Sequence, residues 1–108
     1  MPLYMFQAAY TSEAWATQIQ NPQNRVEQVR PIIEANGGKL LAFYYALGEY
    51  DAVAIIEAPD NVSVSALTLA FAASGAAKAQ KTTALMSVEE GLEAMRRASR
   101  TGYRPPGS

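Results

Sequence analysis

The segment KLLAFYYALGEYDAVAIIE, Lys39 to Glu57, decides how this chain folds. Two runs of aromatic, branched and small apolar residues flank Gly48-Glu49-Tyr50, a separation that suits an antiparallel hairpin. Side chains alternate across a strand. The first run therefore divides into Leu40, Ala42, Tyr44 and Ala46 against Leu41, Phe43, Tyr45 and Leu47, and the second into Ala52, Ala54 and Ile56 against Val53, Ile55 and Glu57. Both sides are apolar. An antiparallel sheet that faces water shows a polar side, so both faces of this one are expected to be covered.

Working outward, Leu3 to Tyr10 (LYMFQAAY) reads as a largely buried strand. Thr11 suits the cap of a helix on which Trp15 and Ile19 share a face. Asn21-Pro22 is expected to interrupt that helix and restart it, with proline in the first helical position after an asparagine cap. Val26, Val29 and Ile33 then form an apolar stripe, Pro31 is expected to bend or break the local hydrogen bonding, and Asn36-Gly37-Gly38 stops the helix. Beyond the hairpin, Asp60 or Asn61 caps a helix running through Val64, Leu67 and Phe71 to Gly75. A fourth strand lies within Ala76 to Met86. Ser87 stands three residues before Glu90, the spacing of a capping box, and the last helix carries Leu92 and Met95 before Arg100.

The order predicts an α+β, ferredoxin-like βαββαβ fold with a C-terminal helix and an antiparallel four-stranded sheet whose helices lie on one face. Residues 1–100 are expected to form the domain and 101–108 a tail. Helices can cover only one of the two apolar faces. The other is expected to meet the same face of a second subunit, giving a homodimer, with higher oligomers open, that forms a dimeric α/β barrel. The interior of such a barrel would suit a small apolar ligand. The competing reading is that the N-terminal helical segment or the tail covers that face.

Of the 108 residues, 49% are apolar and 18% charged, and the net charge is −1. No broad field attracts nucleic acid or a membrane surface. Arg96, Arg97, Arg100 and Arg104 read as helix-end charges. The absence of cysteine and histidine removes disulfides, thiolate nucleophiles, histidine triads, Cys/His zinc sites and imidazole haem ligation. What is left is the chemistry of carboxylates, phenols, hydroxyls, amides and lysine. No basic region leads into an apolar stretch and no apolar twenty-mer occurs, so a cytoplasmic protein is expected. Gly37-Gly38 falls between a helix and a strand, the wrong order for a phosphate cradle. Neither a metal nor a cofactor is expected.

The chain resembles the GYD-domain family, small bacterial proteins of largely undefined function. The likeness runs through MPLYMFQAAYT, Gly37-Gly38, Gly48-Glu49-Tyr50-Asp51, Glu57-Ala58-Pro59-Asp60-Asn61, Ser74-Gly75, Lys81-Thr82-Thr83 and Glu89-Glu90, with Glu49 inserted between the signature glycine and tyrosine. The resemblance implies the dimeric ferredoxin-like barrel. It implies little chemistry, because similar barrels host cofactor-free monooxygenases, haem enzymes and isomerases.

Candidate residues are read from their chemistry and position. Tyr50, Asp51 and Glu57 are the candidates for proton exchange: Tyr50 and Asp51 sit at the strand-to-strand corner, and Glu57 leaves an apolar strand. Each also has a plainer role, in packing, in holding turn amides or in an ion pair with Lys81. Tyr45, Lys81, Thr82 and Trp15 are the candidates for ligand binding, Lys81 for an anionic group and Thr82 for orientation. Three readings stay open: a cofactor-free enzyme acting on a small aromatic or hydrophobic molecule, a binding protein using the same cavity, and a structural or regulatory oligomer.

Overall fold

Short runs of strand-forming residues punctuated by capped helices give eight elements in residues 1–107, which the computed structural model describes. They are β1 (Leu3–Tyr10), α1 (Ser12–Gln20), α2 (Arg25–Ala35), β2 (Lys39–Tyr45), β3 (Ala52–Glu57), α3 (Asn61–Ala73), β4 (Ala77–Leu85) and α4 (Val88–Ala98). The strands form one sheet in the order β2-β3-β1-β4, antiparallel throughout. β1 and β3, the interior strands, pair Phe6 with Ala54 and Ala8 with Ala52.

Each helix begins where a side chain can accept from the free backbone amides of its first turn. Thr11, Asp60 and Ser87 cap α1, α3 and α4, and Ser87 with Glu90 completes a reciprocal capping box. The restart between α1 and α2 falls later than Asn21-Pro22: Asn24 is the cap of α2, accepting from Val26 and Glu27. Nor does Pro31 end α2. It sits inside a helix that continues to Ala35 with its side chain exposed, so the lost backbone bond lies on the solvent side. Gly38 follows where the backbone runs close, since a Cβ there would lie 2.6 Å from the Glu57 carbonyl.

The core sits between the helices and one face of the sheet, where Ile33, Leu40, Ala54 and Ile56 are buried and Val26, Val29, Phe6, Phe43 and Leu67 pack around them. Strict alternation fails in β2. The register passes from Leu40 opposite Ile56 directly to Ala42 opposite Ile55, so Leu41 is an extra residue. Phe43 and Tyr45, expected opposite Leu40, therefore share its helix-side face, and Tyr44 turns to the other.

That other face carries Leu3, Met5, Val53, Ile55 and Leu85, none of them fully buried, whereas Ile33 of α2 packs on the helix side and residues 101–107 are exposed. The expectation of a dimeric α/β barrel is corrected here. The sheet is open and uncurled, with free edges at β2 and β4. Four strands are too few to close on themselves. The edges are also poorly suited to extension, because β2 is bulged at Leu41 and β4 carries Lys78 and Lys81.

α4 stands clear of the sheet. None of its residues is buried, and Val88 and Met95 are 82% and 69% exposed. The radius of gyration is 17.6 Å over extents of 60 × 32 × 23 Å, against roughly 13 Å for a compact chain of about this length. Among the described residues, no helix is long and apolar enough to cross a membrane.

Candidate functional site

Alanine makes the site. Where β1 and β3 cross beneath the helices, Ala8, Ala52 and Ala54 present only a methyl group each, and α2 and α3 do not descend to fill the space. A cavity of about 450 Å³ results, within the range of small-molecule pockets. Phe6, Phe43, Ile33, Leu40, Leu67 and Phe71 wall it. Phe6 and Phe71 meet edge to face at 5.6 Å and stiffen one side. Among the described residues, no carboxylate lines it.

The polar end is built by Tyr10 and Arg25. Tyr10 closes β1, is 7% exposed, and sets its ring edge-on against Trp15 of α1 at 5.2 Å and Phe71 of α3 at 6.2 Å. Burial raises its phenol pKa above the ordinary value; the charge and hydrogen bonding of nearby Arg25 pull it back in part, while Tyr45 and Asp51 push it up. Arg25 opens α2. Its Nη1 donates to Gln28 Oε1 at 2.7 Å, and its Nε is shielded from solvent without a hydrogen-bond partner among the described residues. Thr68 and Ser74 also line the cavity, but their hydroxyls already donate to backbone carbonyls of their own helix.

Asp51 organises this end from behind. Its Oδ2 accepts from the Tyr10 backbone amide at 2.9 Å and from Trp15 Nε1 at 3.2 Å, and its own amide donates to the Ala8 carbonyl at 2.8 Å. One carboxylate thus ties the hairpin corner to β1 and α1. Tyr45 lies on the same face, opposite Ala52, 56% exposed and edge-on to Phe43 at 5.5 Å.

The remaining candidates lie elsewhere. Tyr50 is half-buried just before β3. Glu57 ends β3 on the open face opposite Leu3 and Lys39. Glu57 stands six residues from Asp51, roughly 20 Å along the strand, so the two carboxylates share no focus. Lys81 is exposed on the open face opposite Gln7, and Thr82 is exposed on the helix side opposite Phe6. Among the described residues no group of acidic side chains is placed to hold a metal ion. Sequence reasoning missed Arg25 and the alanine floor. The signal was present, since Arg25 stands four residues before the stripe residue Val29 and three alanines fall on the helix-side positions of β1 and β3.

An antiparallel, helix-backed open sheet with an apolar cavity defines a small α+β domain. The chain belongs to the GYD domain family, whose pattern it matches over residues 4–95. It is also similar to the glutamine synthetase and cystathionine beta-lyase binding protein of Thermus thermophilus, with 32% identity over 79 residues that span 72% of this chain and 82% of that protein.

Proposed function

We propose that this GYD-domain protein is a cofactor-free, non-catalytic binding module that holds a small hydrophobic or aromatic molecule and works in the cytoplasm as a homo-oligomer. The observation that carries the reading is the cavity of about 450 Å³, whose walls are apolar and whose lining, among the described residues, includes no carboxylate. General acid–base turnover needs a titrating group within hydrogen-bond reach of the ligand; Glu57 and Asp51 are both outside that lining, and the Tyr10 phenol within it is kept protonated at neutral pH by burial. In this reading Trp15 and Tyr45 flank the polar end, Asp51 positions Tyr10 and Trp15, and Tyr50 packs at the corner.

Self-association belongs to the other side of the sheet. Leu3, Met5, Val53, Ile55 and Leu85 offer a contiguous apolar surface whose burial against a second copy is worth about 25 cal/mol per Å². Each sheet keeps its edges open in that stacking. Glu57 of one copy is then placed to pair with Lys81 of the other, and Thr82 stays on the helix side. Native mass spectrometry of freshly purified protein tests both parts together: dimers or larger species carrying a retained small-molecule mass are expected. Bare single chains at micromolar concentration would sink the reading.

A second reading, in which the exposed apolar surfaces dock other proteins, is favoured by the Thermus relative, named for binding glutamine synthetase and cystathionine beta-lyase. Sedimentation of the purified chain with glutamine synthetase distinguishes it, a co-sedimenting complex supporting protein docking and independent boundaries opposing it.

A further inference from the structure

We propose that the helix-side cavity selects a small monocarboxylate, its carboxylate held by Arg25 with the Tyr10 hydroxyl and its aromatic or short aliphatic body lying over Ala8, Ala52 and Ala54. This rests on the ligand-holding part of the reading above and adds the class of ligand.

Charge makes the choice. Among the described residues, Arg25 is the only charged one in the lining. Among the described residues, ion pairs form at Glu93 alone, so Arg25 has no carboxylate of its own. A guanidinium offers donors in a planar fork that matches a carboxylate, and such charge-assisted pairs are about twice as strong as neutral ones. Arg25 spends one donor group on Gln28 and also interacts with the Tyr10 hydroxyl, and among the described residues its Nε lies dry and unpartnered. An unpaired donor of this kind is costly to leave unmade. Tyr10 adds a neutral phenolic donor beside it.

Shape limits the body. At ordinary packing a cavity of about 450 Å³ takes at most roughly 20 non-hydrogen atoms. The floor is flat, because three methyl groups at adjacent register positions form it, and this favours a planar ring or a folded short chain over a branched one. Among the described residues, no other lining residue supplies a cation, so a dicarboxylate would leave one charge in an apolar wall.

The test compares two probes with the same ring, 2-naphthoate and 2-naphthalenemethanol, by isothermal titration on the full chain. The acid is expected to bind about tenfold more tightly or better. Arg25→Gln should abolish that difference while leaving the alcohol nearly unchanged. Ala54→Leu fills the floor and should remove both; Ala70→Leu, from the α3 side of the same cavity, gives the same readout should Ala54→Leu fail to fold. Equal affinity of acid and alcohol, or an Arg25→Gln variant that keeps full affinity for the acid, overturns the carboxylate selection and leaves the cavity reading standing. Failure of the unaltered protein to take up either probe at millimolar concentration overturns the cavity reading itself.

Discussion

Asp51 shows how one side chain can look like chemistry in a sequence and act as a tie in a structure. Its Oδ2 accepts from both the Tyr10 amide and the Trp15 indole. Replacing it by alanine leaves two part-buried donors without that acceptor, a loss of about 2 kcal/mol. Asparagine can direct its carbonyl oxygen to the same point and serve both. Chemical denaturation is therefore expected to show Asp51→Ala well below the unaltered protein and Asp51→Asn close to it. Near-equal destabilisation by both would show that the negative charge matters, which a simple tie does not require. Arg25 is the complementary case, an arginine that the sequence reading did not single out and that becomes, among the described residues, the one charge lining the cavity once α2 packs.

α4 behaves as an element apart. Its start depends on the reciprocal Ser87–Glu90 box, and the bonds from Ser87 hold the Glu90 carboxyl below its ordinary value. A folded-state pKa below the unfolded one gives stability that is complete above about pH 4.5 and is lost as pH falls through the depressed folded value. Because no residue of α4 is buried, that loss is expected to appear locally, as acid fraying of residues 88–98 while the sheet remains. Amide exchange followed from pH 6 to pH 3 checks it, and Glu90→Gln should weaken the pH dependence. Element boundaries were mostly legible beforehand, because caps and stops are local: Thr11, Asp60, Ser87 and Gly75 act on amides and carbonyls within one turn. The bulge at Leu41 was not, since an extra residue in a strand is defined by its neighbour's register and β2 alone contains nothing to mark it.

At the scale of the molecule, the apolar face of the sheet opposite the helices and the outlying α4 are what distinguish this chain from a self-contained domain. Ile55 sits on an interior strand within that face. Ile55→Asp places a charge there, which water tolerates and a subunit contact does not, so self-association is expected to weaken on the order of a hundredfold. Light scattering after gel filtration reads this directly. An unchanged mass for Ile55→Asp would move the contact to another surface, such as α4.

The pattern of residues along the chain determined the elements, their order, the antiparallel sheet and the presence of apolar side chains on both its faces, because periodicity and capping depend on neighbours a few positions apart. Tertiary structure alone decided that the sheet stays open, that Tyr45 faces the helices, and that the cavity lies beneath α2 and α3. Those outcomes depend on strand register and on how closely helices settle over three alanines, quantities that arise only when segments distant in sequence meet.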